Sequence, residues 1–180
     1  MTSTYISETS QWLEEVVLGL NLCPFAHRPF QRQAIHYCVS KESDIRLIKS
    51  VLFEEMARLC NKQRLPATTL IILPKIEGFF EFLDLLDGLN SALEASEYAD
   101  LFQLASFHPD YQFAGPEPED RSHYTNRSPY ATLHIIAEED MDEAVSSHPD
   151  TSTIPATNIE RLRSLSEESF QKIRKHSLKT

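Results

Sequence analysis

The chain has 180 residues, which suits one domain with a substantial buried core, and we predict a single domain over residues 1–180 with frayed termini. Its formal net charge is −10, which argues against nucleic acid or an anionic membrane surface as a partner. No apolar run is long enough to cross a bilayer and the first residues lack a secretory pattern, so we expect a cytoplasmic protein.

The first predicted element is an amphipathic helix over Ser7–Leu20, where apolar residues recur at spacings of three and four. Pro24 and Pro29 prevent it from continuing, because proline lacks a backbone donor and disfavours helix in the preceding residue. We therefore expect an ordered loop with three apolar side chains turned inward: Leu22, Phe25 and Phe30.

Two strands and the helix between them are predicted next. Residues 33–40 alternate as a strand does, and residues 68–73, TTLIIL, form the apolar run of a central strand that is covered on both faces. Ser43 can cap the intervening helix, and Cys60 at the border of its apolar stripe is predicted to be in the core. That stripe consists of Ile45, Ile48, Leu52, Met56 and Leu59.

A third helix over residues 78–95 and a third strand over residues 101–107 follow. The helix should cover the sheet with Phe79, Leu83, Leu86, Leu89 and Leu93, in an arc widened by Phe80 and Phe82. A fourth strand, residues 131–137, comes after a long loop. The alternation of strands and helices predicts an α/β fold with a mixed sheet of about four strands, three parallel plus one antiparallel at an edge, covered by helices.

Helices are also predicted after the fourth strand. Acidic residues crowd positions 138–143, where they suit the start of a short helix. Thr157 and Glu160 form a capping-box pattern ahead of a last helix. This helix should dock on the sheet through Ile159, Leu162, Leu165, Phe170 and Ile173.

A ligand site is expected at one edge of the sheet, because ligands of open α/β sheets bind beyond the carboxyl ends of the strands. Lys75 and His108 follow two of these ends. An antiparallel fourth strand would begin at the same edge and bring three polar residues close: Asn126, Arg127 and Ser128.

The expected edge is cationic in an acidic protein, which favours a small anionic ligand, a phosphate or a carboxylate. Arg127 offers a planar fork that suits such groups, and Lys75 adds charge. Arg127 could equally brace the loop by binding its carbonyl groups or Asp110. His108 is either a general acid or base or an anchor of the loop.

Three other kinds of site compete with an anion site. Cys23 could be a nucleophile with His108 as its base and Asn126 as the orienting group, but its apolar neighbours favour a buried thiol. No metal is predicted, because His108, Asp110, His123 and His134 lack the local spacing of metal ligands. No cofactor is predicted either, since the chain has only four glycines and no phosphate-binding loop.

The segment between the third and fourth strands is long and rich in aromatic residues. A loop of this length is uncommon unless it is functional or disordered, and it is too aromatic to be disordered. Its aromatic residues could stack on a planar ligand, but stapling the loop to the sheet is the favoured interpretation. They are Phe107, Tyr111, Phe113, Tyr124 and Tyr130.

Three segments together resemble the signature of a bacterial family of domains of unknown function, family 1415. They are GLNLCPFA at residues 19–26, SFHPDYQFAG at residues 106–115 and NRSPYATLHII at residues 126–136. The resemblance spans the whole chain but implies no activity, cofactor or catalytic residue. It does imply that the first segment joins the same site, which adds Cys23 and Arg28 to the candidates.

The leading hypothesis is a cytoplasmic α/β protein in which residues 106–136 form a pocket for a small anionic ligand. His108 is the candidate general acid or base, and whether the protein is an enzyme stays open. The alternative is a noncatalytic interaction module that presents the loop aromatics and the acidic run to a protein partner. Either hypothesis is compatible with a homo-oligomer.

Overall fold

A four-stranded mixed sheet is central to the computed structural model, which describes residues 2–61, 68–139 and 151–177. The strands are β1 (Ile35–Val39), β2 (Thr68–Ile72), β3 (Phe102–Phe107) and β4 (Thr132–Ala137). The α-helices are α1 (Thr2–Trp12), α2 (His27–Gln31), α3 (Ile45–Cys60), α4 (Phe79–Glu94), α5 (Ile154–Arg163) and α6 (Glu167–Arg174). A π-helix (Leu13–Leu18) continues α1, and 3-10 helices span Pro24–Ala26, Arg121–Thr125, Thr151–Thr153 and Lys175–Ser177. No helix within the described ranges combines the length and apolar character that crossing a membrane requires.

The strand order of the sheet is β1-β2-β4-β3. β1 pairs with β2 in parallel, whereas β4 pairs antiparallel with both β2 and β3. The α/β class and the mixed four-stranded sheet are confirmed. The predicted edge position of β4 is wrong, because β4 is inserted between β2 and β3. Among the described strands, β1 and β2 therefore form the one parallel pair of the sheet, and the predicted block of three parallel strands is not formed.

β4 can occupy a central position because its polar side chains find hydrogen-bond partners inside the protein instead of in the solvent. Thr132 and His134 alternate with Leu133 and Ile135, which is also the pattern of a strand with one solvated face. In the fold, Nε2 of His134 lies 2.7 Å from Oγ1 of Thr68. A buried polar group that finds such a partner avoids most of the desolvation cost.

Helices α3 and α4 cover one face of the sheet and form the first core. Every residue of β2 is buried, which confirms the predicted central strand. The sheet contributes Ile71, Leu133 and Ile135 to this core. The helices contribute Ile48, Leu52, Met56, Phe82, Leu85, Leu89 and Leu93.

Three side chains that were predicted to belong to this core are exposed: Phe80, Cys60 and Ile45, which is the first residue of α3. Phe80 is 81% exposed. The buried stripe of α4 contains Phe82 and Leu89, and Phe80 lies about 200° around the helix from Phe82, on the opposite side. Cys60 is exposed because it is the last residue of α3, beyond the end of the buried stripe at Met56.

The second core lies on the opposite face, beneath α1, the π-helix, α5 and α6. Trp12 of α1 and Leu70 of β2 belong to it, together with Leu162, Phe170 and Ile173 of the last two helices. The prediction that the carboxyl-terminal segment docks on the sheet is therefore confirmed. The two cores make the fold a three-layer arrangement of helices, sheet and helices.

The amino-terminal helices differ from the prediction in their boundaries. The first helix begins at Thr2 instead of Ser7, and its last third winds as a π-helix. Residues 21–30 are ordered, as expected, but include a 3-10 turn and α2, with Leu22 buried. Asp44, not Ser43, caps α3, since its carboxylate accepts a hydrogen bond from the backbone N–H of Arg46 at 2.8 Å.

The predicted last helix is two helices. α5 begins at Ile154, so Thr157 and Glu160 lie inside it and the predicted capping box is wrong. Ser166 starts α6, because its hydroxyl accepts the backbone N–H of Ser169 at 3.2 Å and so caps a new helix. Most of the acidic segment 138–143 lies outside the described residues.

Candidate functional site

The carboxyl ends of β1, β2 and β3 meet the beginning of β4 at one edge of the sheet, which we name the carboxyl edge. Backbone hydrogen bonds join its loops: the N–H of Ser40 donates to Ile72 at 3.0 Å, and that of Leu73 donates to Ala131 at 2.8 Å. The N–H of His108 donates to the carbonyl of Asn126 at 3.1 Å. The sequence prediction that these loops gather at one edge agrees with this geometry.

His108 is fully buried beneath the first turn of α4. Its ring centroid lies 5.4 Å from that of Phe79 and 5.3 Å from that of Phe82. Nδ1 accepts a hydrogen bond from the backbone N–H of Asp110 at 3.0 Å, so the proton of the neutral ring is on Nε2. These contacts make His108 an anchor of the turn that follows β3.

Asn126 and Ser128 also hold the loop together. The side-chain amide of Asn126 donates to the carbonyl of Ser106 at 3.0 Å, which ties the loop to β3. Ser128 is fully buried, and its hydroxyl donates to the carbonyl of Tyr130 at 2.6 Å. Both side chains are therefore used by the fold at the positions where the sequence predicted ligand contacts.

Arg127 is half-buried and only partly used by the fold. Its Nε donates to the carbonyl of Tyr111 at 3.2 Å, and its guanidinium carbon lies 4.4 Å from the ring centroid of Tyr124. Among the described residues, no carboxylate lies within ion-pair distance of this guanidinium, and its two terminal nitrogens have no hydrogen-bond acceptor. The loop-bracing role is real, but it uses one of the three nitrogens.

Two other half-buried arginines differ in this respect, whereas a third, Arg161, donates to backbone carbonyls and has no carboxylate partner among the described residues. Arg58 pairs with Glu55 at 2.8 Å, and Arg121 pairs with Glu167 at 2.5 Å while donating to the carbonyl of Leu165. In both cases a carboxylate compensates the partly desolvated charge. Arg127 therefore stands apart from Arg58 and Arg121.

The two remaining basic candidates lie at opposite edges. Lys75 is exposed in the turn between β2 and α4, at the carboxyl edge. Arg28 is exposed on α2, whose Pro29 carbonyl accepts the N–H of Ala34 at 2.8 Å, just before β1 begins. The fold therefore brings Lys75, but not Arg28, to the edge that carries Arg127.

Cys23 lies in the second core, away from His108. It packs against the apolar cluster that contains Trp12 and Leu70, whereas His108 contacts Phe79 on the opposite face of the sheet. Burial raises the pKa of the Cys23 thiol, although backbone hydrogen bonds partly offset the effect. The fold does not bring together the predicted nucleophile and base, and it favours the buried thiol.

The other histidines of the candidate metal set are held by the protein itself. Nδ1 of His123 accepts the N–H of Phe113 at 3.1 Å, and its Nε2 lies 2.8 Å from the carbonyl oxygen of Glu117. His134 contacts Thr68 inside the sheet. Within the part of the chain that the structure describes, His, Cys, Asp and Glu side chains form no group of three that could hold a metal ion.

Sequence reasoning missed the residues of α5 that hold the first signature segment. The side-chain amide of Asn158 donates to the carbonyl of Leu22 at 2.7 Å, and Arg161 donates to the carbonyls of Leu20 and Asn21 at 2.8 and 2.7 Å. Because these contacts join residues about 140 positions apart, no local pattern signals them.

A second set of missed contacts ties the long loop to the carboxyl-terminal helices. Arg163 donates to both carboxylate oxygens of Asp120, at 3.1 and 2.7 Å, and holds the pKa of that carboxyl far below its usual range. Arg121 lies over the ring of Phe170. These contacts make the loop an ordered element that is braced by the carboxyl-terminal helices.

A family profile described as a protein of unknown function, DUF1415, matches residues 4–172. The chain belongs to the DUF1415 family. The matched range contains residues 19–26, 106–115 and 126–136, so the braced loop and the residues around Cys23 lie within the matched region. No curated protein and no solved structure matches the chain.

Proposed function

We propose that this DUF1415 protein binds a small anionic ligand at the carboxyl edge, with Arg127 as the principal contact. The observation that carries the proposal is the half-buried guanidinium of Arg127, for which the described residues supply no carboxylate. A partly desolvated charge without a counterion is unfavourable, so an anion that supplies one would be bound. The two terminal nitrogens suit a bidentate contact with a phosphate or a carboxylate.

The amino end of α4 offers backbone N–H groups to an anion at the carboxyl edge, where the nearby side-chain charges are mixed: Lys75 is basic, and Glu77 and Glu81 are acidic. α4 is 16 residues long, and its amino end follows β2 at the carboxyl edge. The N-cap residue is Gly78, which makes no side-chain cap, so the first backbone N–H groups and the helix dipole favour negative charge there. Lys75, three residues earlier, contributes a full positive charge.

A catalytic form of the proposal would use His108 as a general acid or base. The burial of its ring beneath α4 means that the first turn of the helix would have to move before the ring could reach a ligand. The proposal is therefore a binding function first, and the enzymatic form depends on a movement of α4.

A thermal-shift titration with inorganic phosphate and acetate tests the binding function. At ten times the dissociation constant, ligand binding adds about 1.4 kcal/mol to the free energy of unfolding, which raises Tm by roughly 3 to 6 °C for a chain of this size. We expect Arg127→Gln to abolish this shift. Arg46→Ala is the matched control, because Arg46 is an exposed arginine paired with Asp44.

The melting behaviour of Arg127→Gln distinguishes a ligand-binding role of Arg127 from a role in bracing the loop. If Arg127→Gln keeps the cooperative melting of the wild type but loses the shift with either anion, the proposal holds. If it retains the full shift, or if the wild type shows none with phosphate or acetate, the proposed function is wrong.

A noncatalytic interaction module is the second candidate function. It is favoured by the exposure of two aromatic rings, 81% for Phe80 and 37% for Phe113, because large exposed apolar groups often mark contact surfaces. A homo-oligomer is one form of this candidate. It predicts that Phe80→Ser reduces self-association in sedimentation velocity, whereas a monomeric wild type at all concentrations would exclude the homo-oligomeric form.

We also propose that the protein acts in the cytoplasm. Its three cysteines are free, including the exposed Cys60, which suits a reducing compartment. Fractionation of the native cells with an antibody against the chain tests this assignment, and recovery in a secreted fraction would contradict it.

A further inference from the structure

A row of aromatic rings begins beside Arg127. Tyr111 accepts the Nε–H of Arg127 through its backbone carbonyl. Its ring centroid lies 5.0 Å from that of Phe113 and 5.4 Å from that of Phe79. The guanidinium is therefore next to the backbone of the segment that carries two of these rings.

Phe113 lies in the same loop segment as Tyr111, and its ring is exposed. One face of its ring stacks on His123, with centroids 6.1 Å apart and an interplanar angle of 23°, yet 37% of the residue is exposed. The loop does not need this exposed surface for its conformation, because two hydrogen bonds already fix the His123 ring. Through Tyr111, this exposed ring and a guanidinium to which the described residues supply no carboxylate belong to one connected group, and one ligand could contact both.

The short backbone segment between Tyr111, which contacts Arg127, and Phe113 limits the size of such a partner. Phe113 is two residues from Tyr111, so their backbones are at most about 7 Å apart. A single aromatic ring with an anionic substituent spans a similar distance. Its ring could make an offset or edge contact with Phe113 while its anion takes the terminal nitrogens of Arg127.

We propose that the ligand is a planar aromatic anion, in which one ring carries a phosphate or a carboxylate group. This inference rests on the proposed anion-binding function and adds the recognition of the ring. Arg127 supplies affinity for the charged group, and Phe113 discriminates flat aromatic ligands from saturated ones of the same charge and size.

Pairs of probes that differ only in planarity test the inference. Phenyl phosphate is compared with cyclohexyl phosphate, and benzoate is compared with cyclohexanecarboxylate, with inorganic phosphate as the ring-free reference. In calorimetric titrations of the full chain we expect the aromatic member of the preferred pair to bind about tenfold more tightly. The pair that binds more tightly identifies the charged group as phosphate or carboxylate.

Three variants test whether Phe113 is the residue that distinguishes aromatic from saturated anions. Phe113→Leu should bring the affinity for the aromatic member down to that for the saturated member and leave inorganic phosphate binding unchanged. Arg127→Gln should weaken all the anions alike. Phe80→Leu is the matched control, because Phe80 is an exposed phenylalanine that packs on Phe79, and it should keep the tenfold preference.

The possible failures are distinguishable. Equal binding of aromatic and saturated probes by the wild type overturns the inference while the anion-binding function stands, and this comparison requires no variant to fold. A tenfold preference that survives in Phe113→Leu also overturns it. Absence of binding by every probe, including inorganic phosphate, would defeat the proposed function itself.

Discussion

The Nε2 atom of His134 lies 2.7 Å from Oγ1 of Thr68, and this contact joins the central strand β4 to its neighbour β2. The Thr68 hydroxyl donates to the carbonyl of Ile135 at 2.7 Å. Its oxygen is therefore the acceptor for His134, and the imidazole acts as a neutral N–H donor. Burial lowers the pKa of His134 from 6.5 to about 4.

This contact predicts a loss of stability in mild acid. In the unfolded chain the imidazole has an ordinary pKa near 6.5, so it takes up a proton at a pH where the folded protein does not. Stability is therefore complete above pH ~6.5 and falls as the pH drops toward about 4, by on the order of 3 kcal/mol in total. Urea unfolding of the wild type and His134→Gln across this range measures it. The wild type should lose more stability than the variant, and parallel curves would contradict the burial of a neutral imidazole.

Two glycines provide a matched pair for the backbone. At Gly19, which follows the π-helix, an added Cβ would lie 2.3 Å from the carbonyl oxygen of Glu15, and backbone cannot move aside cheaply. At Gly88 in α4, it would lie 2.7 Å from the end of the Ile45 side chain, which is flexible and 42% exposed.

We expect Gly19→Ala to lower the free energy of unfolding by more than about 2 kcal/mol. Gly88→Ala should change it by less than about 1 kcal/mol, because the better helix propensity of alanine offsets the shift of Ile45. Chemical denaturation of both variants measures the difference. Equal costs would mean that the π-helical end can relax.

The three cysteines should differ in reactivity toward iodoacetamide at pH 8. Cys60 is exposed, whereas burial raises the pKa of Cys23, and burial together with Glu55 raises that of Cys38 to about 11. Cys60 should therefore react first, with Cys23 at least about tenfold slower. Mass spectrometry of the digested protein follows each site. Alkylation of Cys23 as fast as Cys60 would restore it as a candidate nucleophile.

Local patterns predicted most of the fold, because they reflect forces between residues that are near in sequence. The uniform apolar run of β2 predicted a central strand, and the whole strand is buried. The alternation in β4 could not reveal its central position, since the partner that satisfies His134 is Thr68, on another strand. Ser166, which caps α6, could have indicated the start of a separate helix, but the apolar periodicity that runs through both helices predicted a single one.

The candidate site was predictable in location but not in the use of each residue. The order of strands and loops placed Arg127, Asn126 and His108 at one edge, and the fold brings their backbones together there. Whether a side chain faces a ligand or the loop depends on tertiary contacts, such as those of Asn126 with Ser106. The separation of Cys23 from His108 likewise depends on which face of the sheet each one packs against.

The guanidinium of Arg127 itself gives the most direct test of anion binding. In the 15N-labelled protein, the Nε–H resonance of Arg127 can be followed during titration with phenyl phosphate at constant pH, with that of Arg163, already paired with Asp120, as the internal reference. We predict a saturable change at Arg127 and little change at Arg163. A resonance of Arg127 that stays constant while the ligand binds elsewhere, or does not bind, would contradict the anion site.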